Sequence, residues 1–186
     1  MTVRAGEKDA LRSETVRLRD GRTTTIRPAA VDDAAQLLEN VNAIGAEIVY
    51  LLTEQLGSDV EQEREWIREY DGATSVLLVA EVDGRIVGQA DVQPGRYPKE
   101  SHVGIVGVAI RDGYRGIGLG RAMMDRVLEW MRERGFKKAC LEVFSTNEQA
   151  IALYRRLGFE VEGVRKRQYR VLGEWVDDVL MGRWLE

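Results

Sequence analysis

The segment that most constrains this chain is Arg115-Gly116-Ile117-Gly118-Leu119-Gly120. It stands between His102–Ile110, apolar on both alternating faces as a central buried strand is, and Gly118–Arg134, the strongest helical pattern present. Alternate glycines let the backbone curl and approach a ligand closely. Free N–H groups at a helix start point outward and the helix dipole favours negative charge, so a pyrophosphate is the natural occupant. Arg115 and Arg121 offer it charge-assisted contacts. Other nucleotide-binding turns fit poorly. A dinucleotide fingerprint counted from Gly116 puts Arg121 where its last glycine belongs, and the P-loop Lys-Ser/Thr is absent.

The surrounding pattern predicts one mixed α/β domain over residues 21–186. Thr23–Arg27 reads as a first strand, and Asp32 and Asp33 precede a helix carrying Ala34, Leu37, Leu38 and Val41. Ser58 with Glu61 forms a capping-box pattern ahead of Val60, Trp66, Ile67 and Tyr70 at helical spacing. Ser75–Val82 and Arg85–Val92 flank Asp83-Gly84 as a hairpin. In Gly118–Arg134 an apolar edge of Met123, Val127 and Trp130 opposes a wet face of Arg121, Asp125, Glu129 and Arg132. Lys138–Phe144 reads as a strand, Asn147–Leu157 as a helix closed by Gly158, and Val161–Arg170 with Trp175–Trp184 as a final strand pair. Ile48–Leu52 is an apolar run of no assigned type. Residues 1–20, rich in alternating charge, read as a tail or an added edge segment.

Composition narrows the partners. The chain has 186 residues, 44% of them hydrophobic, enough for one substantial core. A net charge of -4 with both signs interspersed argues against a nucleic-acid binder. Cys140 is the only cysteine and His102 the only histidine, so neither an internal disulfide nor a Cys/His metal cluster is expected. No stretch approaches the roughly 20 apolar residues that span a bilayer, and the start carries no secretory pattern. A cytoplasmic enzyme without a membrane partner is the simplest expectation.

Two blocks together resemble the GNAT superfamily of N-acetyltransferases. One is the Arg115–Gly120 turn. The other is Asn147-Glu148-Gln149-Ala150-Ile151-Ala152-Leu153-Tyr154, continued by Arg155-Arg156-Leu157-Gly158-Phe159. The resemblance runs from about Thr23 to Leu185 and is strongest over Val103–Glu162. It implies a mixed central sheet of about 6–7 strands, splayed between the fourth and fifth, with about four flanking helices. It implies acetyl-CoA as acyl donor, with no metal. The pantetheine arm would pair near Val108, Ala109 and Ile110, the pyrophosphate would rest on Arg115, Gly116, Ile117, Gly118, Leu119, Gly120 and Arg121, and Asn147 and Tyr154 would touch the arm. The reaction implied is direct acetyl transfer to a primary amine.

The chemistry then asks for proton carriers. A lysine-like amine, with a pKa of about 10.4, is free base only about once in 10³ near neutral pH, whereas an α-amine near 8 is about a tenth free. The leaving thiolate gains from a proton donor. By resemblance Tyr154 is that donor; by spacing alone it also reads as core, beside Ala150, Ile151 and Leu157. The strand position where many members carry a glutamate base is Ile105 here. Glu142, five residues before Asn147, is the substitute, with a surface ion pair as its other reading. Glu47 and His102 are weaker candidates, and Cys140 reads as a structural thiol. Ala46–Gly57, Gln93–Ser101 and Gly163–Asp178 should shape the acceptor pocket, which would take a small amine, an amino-acid-like compound or a peptide amine. Arg165, Lys166, Arg167 and Arg170 form a basic cluster there. The competing function is a non-catalytic acyl-CoA-binding module. The C-terminal strands leave homodimerisation open.

Overall fold

Asp83 and Gly84 both take positive φ, 50° and 76°, the geometry a two-residue hairpin turn needs. They join β3 (Val76–Val82) to β4 (Arg85–Pro94), and the computed structural model, which describes residues 12–52, 55 and 57–186, builds its sheet outward from this pair. On one side β2 (Thr23–Pro28) pairs with β3, and β1 (Glu14–Arg17) pairs with β2. On the other, β5 (Val103–Ile110) pairs antiparallel with β4 and parallel with β6 (Lys138–Phe144). The edge hairpin of β7 (Glu160–Val171) and β8 (Glu174–Trp184) completes the order β1-β2-β3-β4-β5-β6-β8-β7. The expected six to seven strands become eight among the described residues. The addition is β1, which lies inside the segment read as a tail or edge. Residues 1–11 of that segment lie outside those described.

Four helices flank the sheet: α1 (Ala34–Gly45), α2 (Val60–Arg68), α3 (Leu119–Glu133) and α4 (Glu148–Arg156). On one face Met123, Met124, Leu128, Trp130 and Met131 of α3 are buried against Leu78, Ala80, Ala90 and Val106. Burying each large side chain contributes roughly 1.5–3 kcal/mol. On the other face Leu37 of α1 and Ile67 of α2 cover Leu77, Val79 and Ile86. A register shift between Ala80 and Glu81 exchanges the faces along β4. Ile86 therefore joins the α1–α2 side while Val87 packs with α3.

The caps differ in detail from the sequence pattern. At α2 the box is one residue later than Ser58/Glu61: Asp59 accepts from the Glu61 and Gln62 amides at 2.9 Å, and Gln62 Oε1 accepts from the Asp59 amide. Asp33 stands at the start of α1 but makes no cap bond there. Its carboxylate accepts from the Ala30 amide and takes two bonds from Arg27, at 2.7 and 2.9 Å. The central strand is also wetter than its composition suggests, because Ile105 is 43% exposed. The Ile48–Leu52 run is irregular, with Ile48 at φ 68°.

Candidate functional site

β5 and β6 pair only through Val103–Ile105 and Lys138–Cys140. Beyond that point the strands part, and the β6-facing edge of Val106–Ile110 has no strand partner. Two connected cavities fill the opening, of about 260 and 360 Å³. They share Tyr50, Leu51, Val108, Ala109, Asn147 and Tyr154 as common wall.

The first cavity ends at the glycine turn. Gly116 and Gly118 adopt φ 73° and 100°, and Gly118 is the N-cap of α3 with no side chain to fill the cap. The first-turn amides of α3 therefore have no acceptor of their own kind. Gly120 sits where a Cβ would come within 3.1 Å of Ile110 and 3.3 Å of Leu153. This cradle suits a close-lying phosphate group, and Val108, Ala109, Ile110, Arg115, Gly116, Gly118, Gly120, Arg121, Asn147 and Tyr154 all line the cavity. Leu119 instead buries its side chain in the core, and Ile117 packs against it while its carbonyl accepts the Arg19 amide at 2.9 Å.

Arg115, expected to offer a charge-assisted contact, is engaged within the protein. Its guanidinium makes two bonds to Glu47, at 2.6 and 2.7 Å, donates to the Ile110 carbonyl at 2.7 Å, and lies over the Tyr50 ring at 4.1 Å. It fastens the loop after α1 to the turn, which also engages Glu47. Arg121 pairs with Asp125 on its own helix. Three polar lining residues escaped the sequence reading: Arg19, Gln149 and Arg156. Arg19 was hidden because it falls in the segment ahead of the recognisable pattern.

Tyr154 is held by the end of α4. Asn147 caps the helix through an Ala150 N–H bond of 3.1 Å, and Gly158, at φ 82°, turns the chain so that the Phe159 amide bonds the Tyr154 carbonyl. The Tyr154 ring is 8% exposed, packs on Phe159 at 5.9 Å, and faces both cavities. Burial pushes its phenol up to about 12, so it keeps its proton across the working pH range. It is thus both core and cavity wall.

The second cavity is acidic. Glu142 lines it, and its carboxylate meets Arg165 at 2.9 Å. Arg165 also donates to Asp178 at 2.8 Å. β7 bulges between Arg165 and Tyr169; Tyr169 lines this end of the cleft, its ring tilted against Phe144 at 5.0 Å, and Arg165 reaches it through Glu142 and Asp178. The rest of the basic cluster faces away: Lys166 pairs with Asp177, and Arg170 lies over Trp175. His102 stands at the opposite end of β5, stacked on Trp184, and Cys140 lines neither cavity.

Sequence reading also missed Gln89 and Asp91, both on the cavity wall. Their signal was a pair of polar residues two apart in an otherwise apolar strand, since a buried polar group is more informative than an exposed apolar one. Burial pushes the Asp91 carboxyl up to about 6, and the Tyr70 phenol facing it draws it partly back. No group of three or more His, Cys, Asp or Glu able to hold a metal occurs among the described residues, and no helix there is long and apolar enough to cross a membrane.

The profile of the acetyltransferase (GNAT) family matches residues 46–159. L-amino acid N-acetyltransferase AaaT of Escherichia coli strain K12 is 34% identical over 110 residues, covering 57% of this chain and 66% of its own. N-alpha-acetyltransferase RimI of Mycobacterium tuberculosis is 36% identical over 108 residues, 57% of this chain and 65% of its own. The chain therefore spans just under two thirds of the length of these relatives. The crystal structure of a GNAT superfamily phosphinothricin acetyltransferase from Sinorhizobium meliloti, in complex with AcCoA, superposes with a TM-score of 0.80 over 87% of this chain and 88% of that one. At 22% identity the likeness is one of fold. The glycine turn, the parted strands and the Asn147–Tyr154 helix all fall in or beside the matched span, and the chain belongs to the acetyltransferase (GNAT) family.

Proposed function

We propose that this chain is an acetyl-CoA-dependent N-acetyltransferase that moves the acetyl group directly onto a primary amine. The observation that carries the reading is the joining of two unlike cavities at Tyr154 and Asn147: a glycine cradle on one side and a carboxylate-lined chamber on the other. Acetyl-CoA, when bound, supplies the activated thioester. The α3 amides and Gly116–Gly120 would hold its pyrophosphate, and the open edge of Val108–Ile110 would pair with its arm. Tyr154 would give a proton to the departing sulfur. The amine would lose its proton to a carboxylate of the second cavity, of which Glu142 is the one marked by its spacing from Asn147 and Tyr154.

The catalytic unit in this reading is residues 21–186 together with the β1 segment and Arg19 that precede them, acting in the cytoplasm. A cationic acceptor fits a chamber bearing Asp91, Glu142 and Asp178 against the cation Arg165. A small amine or amino-acid-like compound is favoured over a peptide N-terminus or lysine, because the chamber of about 360 Å³ is walled by Tyr50, Phe144 and Tyr169. AaaT is named for amino-acid acetylation and RimI for N-alpha acetylation, so both acceptor classes belong in the test.

The test is thiol release from acetyl-CoA by the purified protein with amino acids, polyamines, and peptides with free N-termini or lysines. Amine-dependent release that drops in Tyr154→Phe and Glu142→Gln supports the reading, and the best amine names the class. Acetyl-CoA binding without turnover on any amine would favour an acyl-CoA-binding module instead.

A further inference from the structure

The proposed reaction needs a group that takes a proton from an ammonium, and Glu142 is an awkward choice. It is about half exposed and already engaged by Arg165. Asp91 is better placed. It projects from β4 on the α1–α2 side of the sheet, directly across the register from Gly107 of β5. Its carboxylate occupies the space that a side chain at Gly107 would fill: a Cβ there would collide with Asp91 Oδ1. The glycine leaves that room at the point just beyond the last β5–β6 pair, where the cleft opens.

Two other residues of the chamber wall carry unpaired acceptors, Gln89 beside Asp91 on β4 and Asp178 on the far wall. Gln89, two residues along the same strand, has a buried Oε1 with no hydrogen-bond partner, and so does the buried Asp178 Oδ1. Both residues line the cavity with Asp91. Buried acceptors left without donors are costly, and an ammonium, which carries only donors, is the ligand that would satisfy them. The titratable and charged groups facing this chamber are Tyr70 after α2, Tyr50 after α1, Glu142 on β6, Tyr154 on α4, and Arg165, Tyr169 and Asp178 on the β7–β8 hairpin. None of them places a cation directly on Asp91.

We propose that Asp91 is the catalytic carboxylate that accepts the ammonium proton of the acceptor amine, with Gln89, on the same face of β4, holding that amine in the chamber. The inference rests on the N-acetyltransferase reading. One proton passes from the ammonium to Asp91. The freed nitrogen lone pair forms the C–N bond as the C–S bond of the thioester breaks. The second nitrogen proton replaces the one Tyr154 gives to the sulfur, and Asp91 returns its proton to solvent. Desolvation makes Asp91 a stronger base, with a proton affinity about 100-fold above that of an ordinary carboxylate.

The experiment is the pH dependence of kcat/KM for wild type, Asp91→Asn, Gly107→Ala and Glu142→Gln, with the best amine of the panel, and acetyl-CoA binding by calorimetry alongside. Wild type should lose activity below about pH 6, as Asp91 becomes protonated. Asp91→Asn should bind acetyl-CoA normally, turn over about 10²–10³-fold more slowly and lack that limb. Gly107→Ala should slow the reaction by displacing the carboxylate while keeping the fold, and Glu142→Gln should keep the limb. An active wild type whose limb persists in Asp91→Asn, or disappears in Glu142→Gln, overturns this inference and leaves the acetyltransferase reading standing. A wild type that acetylates no amine removes both.

Discussion

Tyr154 carries two burdens in one side chain, and they can be separated. Its ring belongs to the core beside Leu157 and Phe159, and the residue also lines the cleft. Tyr154→Phe keeps the ring and removes the proposed proton donor. The expected result is a fall in kcat of about 10²-fold with acetyl-CoA affinity within twofold of wild type, read by steady-state kinetics and calorimetry. Tyr154→Ala should unfold the protein earlier as well, because it empties the core, at a cost of roughly 3–5 kcal/mol. Asp91 gives a second prediction at this scale. Its folded carboxyl holds a proton up to about pH 6, whereas the unfolded one releases it near 3.8. Between these values the native state binds more protons than the unfolded, so raising the pH costs stability, and the loss is complete above about 6. Asp91→Asn escapes it. Melting curves should show the variant more stable than wild type at pH 8 by about 2 kcal/mol, allowing for the partial exposure of the carboxylate, with the difference closing at pH 3. In the role proposed for Asp91, a carboxylate held at such a cost is the usual trade of stability for activity. Tyr154 and Asn147 were legible in the sequence because their block is contiguous. Asp91 was not, because its face depends on the β4 bulge and its room on Gly107, 16 positions away.

Elements that state their own ends were read nearly to the residue. α3 lies within Gly118–Arg134, and α4 begins after its Asn147 cap. The Asp83-Gly84 hairpin also fell where its turn chemistry put it. The α2 cap was read one residue early because Ser58 and Asp59 are both good caps, and only the chain's path selects Asp59. The loop between α1 and α2 carries no periodic signal. What ties down its first residues is a long-range pair, Glu47 with Arg115. That pair joins the loop wall of the cleft to the glycine turn, and both partners are largely shielded. Glu47→Gln replaces a bidentate ion pair by one neutral bond. It should raise the KM for the amine several-fold, because the Tyr50 and Leu51 wall loosens, and leave stability within about 1 kcal/mol. Gly118→Ala tests the other end of the same element pair. An Ala at φ 100° is strained by about 1–3 kcal/mol. It should weaken acetyl-CoA binding through the displaced amides while leaving the pH profile of turnover unchanged.

At the scale of the molecule, the sheet is completed by a segment that composition alone could not place. β1 is four residues long and mostly exposed, and its charges show no core face. Its value lies in the two residues just beyond its C-terminal end. Leu18 is 4% exposed and belongs to the α3 core, and the next residue, Arg19, donates its amide to Ile117 and lies along Gly118, 3.7 Å from the position of a Cβ there. The edge strand thus delivers a cation to the glycine-turn end of the cleft, whose lining also includes Arg121 and Arg156. With Arg115 committed to Glu47, Arg19 becomes a principal cationic partner for a phosphate at this end. The two adjacent residues should therefore fail differently when truncated. Leu18→Ala should lower stability by roughly 2–4 kcal/mol with little effect on acetyl-CoA affinity at temperatures where the protein stays folded. Arg19→Ala should leave the melting temperature nearly unchanged and weaken acetyl-CoA about tenfold, with a shallower salt dependence of binding than wild type. Calorimetric titration at two salt concentrations separates the cases. Equal acetyl-CoA affinity in Arg19→Ala and wild type would mean that β1 serves the sheet alone, and that the phosphate rests on the α3 amides without a cation from this strand.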